Sequence, residues 1–240
     1  MPESFAAKND MSAQPKEFLI GIPIYEGVDL LDVAAPFEIF NWMGVYWSQD
    51  PNTPTTVRVV LVAASLEQLK TRDGLTLTPD MTFEDFDEFS LDLLWVPGGA
   101  PDDLCRTMSD ADYLGFLKSQ SQSALFVASV CEGALLLASA GLLDGYEATT
   151  HWAFINCLKS FGGVKVAKGH PRFVVDRNRV TGGGISSGLD EALELVARIS
   201  SYEIAKQVQS VTQYFPRPPI NGTVPESGDC PISVADCVKK

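Results

Sequence analysis

ALFVASVCEGALLLASAGLL, residues 124–143, runs from an apolar strand into an apolar helix through the short turn Cys131-Glu132-Gly133. The run up to Val130 is nearly continuous in hydrophobicity, as a strand buried on both faces should be. A side chain placed on such a sharp strand-to-helix turn, with a small residue just beyond it, has the layout of a nucleophile elbow. The start of the helix offers unpaired N–H groups and a positive dipole end, and both favour a thiolate at Cys131. The plain alternative is a small buried hydrophobe, the usual fate of a free cysteine. The strand–Cys–x–Gly–helix setting tips the reading towards a reactive thiol.

Working outward, FLIGIPI (18–24), VRVVLVAA (57–64) and LDLLWVP (91–97) have the same strand character. Helix-like runs alternate with them. SDADYLGFLKSQ (109–120) opens on Ser109 with Asp112 three residues on, a capping-box variant. LDEALELVARI (189–199) puts Leu189, Leu193 and Val196 on one face, and EIAKQVQSV (203–211) repeats the spacing with Ile204, Val208 and Val211. Alternating strands and helices predict an α/β fold with a mostly parallel sheet covered on both faces. Ligand sites in such sheets lie beyond the carboxyl ends of the strands, which is where Cys131 falls.

With 240 residues, the chain suits one core better than two. We expect a flexible tail at 1–16, a single α/β domain over 17–215, and a surface arm over 216–240, rich in Pro and Gly, with at most a short helix after Ser233. Eighteen Lys and Arg against 31 Asp and Glu give a net charge of -13, which repels phosphate backbones and anionic lipid. Nucleic acid and membrane are therefore not expected as partners, and neither a signal peptide nor a membrane span is read. The five cysteines, Cys105, Cys131, Cys157, Cys230 and Cys237, form no C-x-x-C pair and no zinc-spaced cluster. Free thiols in a reducing cytoplasm are the expectation, with Cys157 in the core and no metal bound.

The segments LLDVAAPFEIF (30–40), WVPGGAPDDL (95–104), SVCEGALLLASAGLLDG (129–145), ATTHWAF (148–154) and RVTGGGISSGLDEAL (179–193) resemble the ThiJ/PfpI superfamily, relatives of class I glutamine amidotransferases. Within it the chain is most similar to isonitrile hydratases, over roughly residues 18–219. The resemblance implies a flavodoxin-like sandwich, a homodimer, a small-molecule substrate and no cofactor. It aligns Cys131 with the family nucleophile and Asp32 with an acid close to that cysteine. Confining a thiolate with a carboxyl should shift both and suit Asp32 to general-acid work. From the residues alone, Asp32 reads better as an N-cap for the helix through Phe40, and only the resemblance overturns that. Gly98 and Gly99 are either a turn or a place where backbone N–H groups approach a reacting atom. His151 stands where many members carry a histidine, in a catalytic or an orienting role. Ile185 and Trp152 are read as pocket wall. Where isonitrile hydratases have Thr after the nucleophile, this chain has Glu132, which would oppose the helix dipole by repelling a thiolate or simply favour the helix start.

The leading expectation is hydration of an isonitrile to an N-substituted formamide through a covalent thioimidate, a lyase reaction. The alternatives are glyoxalase- or deglycase-like turnover of small oxoaldehydes, or a redox sensor or chaperone-like protein with an oxidisable Cys131. Gly184-Ile185-Ser186-Ser187-Gly188 spells G-x-S-x-G, but both histidines precede Ser186, so the serine-hydrolase order fails. The TGGG turn lacks phosphate-loop spacing, and its glycines are read as permitting close strand–helix packing.

Overall fold

The apolar runs become the middle of one sheet. The computed structural model describes residues 16–87 and 89–239, so the expected N-terminal tail lies outside it apart from Lys16, which already begins a strand. β1 (Lys16–Pro23) leads through α1 (Leu30–Trp47) to β2 (Thr55–Ala63). A small hairpin of β3 (Leu69–Lys70) and β4 (Thr76–Leu77) precedes β5 (Met81–Thr82) and β6 (Leu93–Val96). α2 (Pro101–Thr107) and α3 (Ala111–Gln120) then lead to β7 (Phe126–Ser129) and α4 (Gly133–Ser139). β8 (Glu147–Ala148), α5 (Ile155–Lys159) and β9 (Lys165–Val166) form a side layer before β10 (Phe173–Asp176) and β11 (Arg179–Gly182). α6 (Ser187–Ile199), α7 (Tyr202–Val211) and the short α8 (Val234–Cys237) close the chain.

The sheet order is β10-β11-β7-β6-β1-β2-β5, with every neighbouring pair parallel except β10–β11. α1, α6 and α7 pack together on one face, and α3, α4 and α5 form the other layer. This is the flavodoxin-like α/β sandwich expected. All four residues of β6 are buried, as are Val127, Ala128 and Ser129 of β7, which explains why those strands read as unbroken apolar runs. The elbow therefore springs from a central strand and emerges at the carboxyl edge of the sheet.

Two expectations are corrected. Asp110, not Ser109, caps α3: its carboxylate accepts from the amides of Asp112 (3.0 Å) and Tyr113 (3.1 Å), while the Ser109 hydroxyl donates to the Arg106 carbonyl at the end of α2. Four of the five cysteines are not free thiols: Cys105 bonds to Cys237 and Cys157 to Cys230, which leaves Cys131 as the free one. Partners 132 and 73 residues apart carry no local spacing signal, so the pairing was invisible in the sequence. Disulfides are characteristic of oxidising settings, so the ground for a reducing cytoplasm falls away. No helix among the described residues is long and apolar enough to cross a membrane.

Candidate active site

Cys131 holds a backbone φ of +56°, in the left-handed region that costs a non-glycine residue energy and that recurs at functional turns. Three contacts fix it there. Its amide donates to the Gly183 carbonyl (2.8 Å), its carbonyl accepts from the Thr150 hydroxyl (2.7 Å), and the Gly133 amide closes the turn onto the Val130 carbonyl (3.0 Å). Gly133 is required by packing: a Cβ there would lie 2.1 Å from the carbonyl oxygen of Val96. The thiol ends up buried, at 1% exposure.

Asp32 comes from the first turn of α1, but it is not the cap. Asp29 takes that place, its carboxylate accepting from the Leu31 amide. This leaves the Asp32 carboxyl to turn inward, where Oδ2 accepts from the Gly98 amide at 2.9 Å and Oδ1 is buried without a partner. A second contact holds the same residue by its backbone. Pro36, four positions on in the helix, has no N–H to give to the Asp32 carbonyl, and the indole Nε1 of Trp95 donates to it instead at 2.9 Å. The VAAP motif thus opens a place in the helix ladder that a side chain from β6 fills.

Gly98 is where these parts meet. A Cβ on it would lie 2.5 Å from Glu132 Oε2 and 2.9 Å from the Cys131 Cβ, so only glycine lets the turn after β6 approach the elbow. Its amide, read from sequence as either part of a turn or a group near a reacting atom, donates to Asp32. Gly99 pairs with Val28 in an isolated bridge, under the Tyr25 hydroxyl.

The thiol of Cys131 and the carboxyls of Asp32 and Glu132 lie within 4.8 Å of one another, all buried. Burial pushes the Cys131 thiol well above its ordinary value, Asp32 and Glu132 add to the shift, and the Ile185 amide opposes it. Desolvation therefore outweighs the helix-start effect expected to favour a thiolate. Asp32 is likewise raised well above the usual carboxyl range, by burial first and then by Asp29 and Glu132, against the Gly98 amide and Arg72. Burial also raises Glu132. Three acidic groups thus compete for protons in one dry space, the condition in which proton transfer among neighbours is easy. The same three groups could each offer a donor atom to a metal ion.

The remaining expected residues fall around a cavity of about 370 Å3 lined by Thr150, His151, Trp152, His170, Gly183 and Ile185, among others. Ile185 and Trp152 are both there, Ile185 at a φ of +24°. His151 accepts from the Ala153 amide through Nδ1 (3.3 Å), capping the turn at Trp152–Phe154, and its ring packs where a Gly184 side chain would be. Among the described residues, neither histidine hydrogen-bonds the thiol. Several neighbours escaped the sequence reading. Arg72, beside β3, pairs with Asp29 at 3.3 Å at the edge of the acidic cluster, and nothing in its local sequence marks it. Thr150 is equally unmarked. Glu191, wholly buried on α6 with both carboxyl oxygens unpartnered, had a signal: it stands four residues before Leu195, on the inward face of that helix.

Sheet and elbow together define a class, α/β proteins that bury a cysteine at a strand-to-helix turn beside an acid from the first helix. The model of the DJ-1/PfpI family matches residues 19–198, and the chain belongs to that family. It is 36% identical over 221 residues to the isonitrile hydratase of Pseudomonas putida, covering 92% of this chain and 88% of that one. A solved ThiJ/PfpI family protein from Pseudomonas syringae superposes with a TM-score of 0.77 at 32% identity, covering 94% of this chain and 88% of that one. The HTH-type transcriptional regulator GbdR of Pseudomonas aeruginosa is 30% identical over 147 residues, 61% of this chain but only 38% of the regulator.

Proposed function

We propose that the chain hydrates isonitriles to N-substituted formamides, with Cys131 as nucleophile and Asp32 as general acid. The observation that carries this reading is the Asp32 carboxyl, pinned by the Gly98 amide beside the thiol in a site where no histidine touches the sulfur. A cysteine assisted by an acid alone suits addition to a carbon that must also be protonated. The near full-length similarity to an isonitrile hydratase supports the same substrate class.

In this reading sulfur bonds to the terminal carbon of the isonitrile while a proton from Asp32 reaches that carbon, and the thiol proton replaces it on the carboxyl. The product is a thioimidate. Water adds across its C=N bond, with the hydroxyl going to carbon and the proton to nitrogen. The C–S bond then breaks, the hydroxyl proton returns through Asp32 to sulfur, and the formamide leaves. Raised carboxyls at Asp32 and Glu132 fit a resting site that already holds the proton the first step needs. Glu132 opposes a free thiolate, which suits attack coupled to proton transfer. A small-molecule substrate and a homodimer are parts of the same proposal.

The test is purified protein with an aryl isonitrile, following formamide, with methylglyoxal assayed in parallel. Formamide formation without methylglyoxal turnover is expected, whereas the reverse would favour a glyoxalase-like activity and sink the hydratase. Asp32→Asn should lower formamide formation on the order of 10²-fold or more while leaving the fold intact, the usual span for a general acid. A variant within a few-fold of the parent would remove Asp32 from the mechanism.

A further inference from the structure

The first part of the C-terminal arm carries very little buried surface, yet it runs to the cavity beside the candidate site. From Phe215 to Glu226 every side chain is exposed, including Ile220 at 78% and Val224 at 59%. Apolar burial therefore does not hold this segment down. What does hold it lies just beyond. The Ser227 hydroxyl donates to the Trp152 carbonyl (2.7 Å), the Asn156 side-chain amide donates to the Gly228 carbonyl (2.7 Å), and Cys230 is bonded to Cys157 of α5. Further on, Cys237 of α8 is bonded to Cys105 of α2. All the nearer contacts go to residues 152–157, the segment that also supplies Trp152 to the cavity wall. Val224, just upstream of them, lines that cavity with His151, Trp152 and Ile185.

We infer that Val224, held in place by the anchored segment 227–230 and its Cys157–Cys230 disulfide, is a wall of the substrate cavity, and that this wall sets the size of molecule that reaches Cys131. The inference rests on the proposed function and on this cavity, which abuts the elbow without being lined by Cys131 itself, being the route to the thiol. The cavity's other walls touch the elbow directly: Gly183 and Thr150 hydrogen-bond its backbone, and the Ile185 amide faces its sulfur. On this side of the cavity residues 215–226 are held by the anchors that follow them rather than by packing, so this side yields when the clamp is removed. A substrate with a compact group on nitrogen passes beneath Val224, and a bulky one meets it.

The test reads access to the thiol, not turnover, so it stands apart from the identity of the substrate. The double variant C157S/C230S, with the Cys105–Cys237 bond intact, is compared with the parent for Cys131 alkylation by iodoacetamide and by a pyrene-bearing maleimide, each site located by peptide mass. The pyrene reagent should gain at least tenfold in rate while iodoacetamide changes less than threefold. Equal gains with both reagents would mean general loosening, and no gain with either would mean that the arm is no wall. Each outcome overturns the inference. Val224→Gly, with both disulfides kept, should reproduce the size-selective gain if the double variant does not fold, and its failure to do so would likewise overturn it.

Discussion

Cys131→Ala is expected to lower formamide production by about 10⁴-fold or more while leaving the melting temperature within a few degrees of the parent. The loss is large because the thiol supplies the bond that turns one difficult addition into two easier steps, and no other group in the site replaces it. Asp32 and Glu132 lie within 4.8 Å of the sulfur and would still offer a proton to an isonitrile held there, but a carboxyl acting alone leaves water to attack an unactivated carbon. The small stability effect follows from the geometry. Alanine keeps the Cβ that sits against Gly98, and the amide and carbonyl of residue 131 keep their bonds to Gly183 and Thr150. Removing a buried sulfur costs some packing, and it also removes a group whose ionisation Asp32 and Glu132 resist. Cys131→Ser is expected to be as inactive as alanine, because a hydroxyl in the same dry, acidic setting is far harder to deprotonate. Rate assays and thermal melts on the two variants decide the matter. If alanine keeps more than a tenth of the parent activity, the reaction is acid-catalysed hydration without a covalent step.

The elbow was legible because its chemistry and its backbone sit in one continuous run: strand, cysteine, glycine and helix are adjacent in sequence. Asp32 was legible only through family likeness. Read locally, VDLLD offers two carboxylates before an apolar run, and capping preference alone does not say which caps and which turns inward. The structure separates them, with Asp29 on the helix end and Asp32 beneath the Gly98 amide. The Pro36 signal was present but needed a partner from β6, Trp95, 63 residues beyond the Asp32 carbonyl it serves, before its meaning appeared. The direction of the thiol shift stayed open for a related reason. A helix start and an opposing Glu132 are both visible in sequence, whereas the burial that decides between them is a property of the assembled layers. The disulfides and the arm over the cavity depend on pairings across 73 and 132 residues, for which sequence holds no local cue.

Glu191 is the acidic residue whose removal should change stability most. It is fully buried, neither of its oxygens makes a well-formed hydrogen bond, and a Cβ on Gly182 would lie 2.1 Å from Oε2, so the carboxyl fills the space that glycine leaves beside the sheet. Burial, and then Asp32, holds its carboxyl well above the ordinary value of 4.5, with the nearby Ser129 amide opposing. The sign of the linkage follows. Between the unfolded value and the raised native one, the folded chain binds the Glu191 proton while the unfolded chain has released it, so this residue makes stability fall as pH rises. Below the unfolded value both states are protonated, and only the unpaired neutral group is left to pay for. Glu191→Met should therefore stabilise the protein by about 1 kcal/mol near pH 5, where an unpaired neutral group is removed, and by about 3 kcal/mol at pH 8, where the cost of keeping the native carboxyl protonated is removed as well. Glu191→Gln should flatten the same pH slope without the gain at pH 5, because the amide does not ionise but remains unpaired. Urea unfolding of the three proteins from pH 5 to pH 8, with the disulfides intact, measures both effects. Asp32 and Glu132 are raised too, so the parent keeps a residual slope in every variant, and the difference between proteins isolates Glu191 apart from its coupling to Asp32. Parallel curves for parent and Glu191→Met would show that the carboxyl finds solvent or a cation in the folded state, and that it is not held protonated against the sheet.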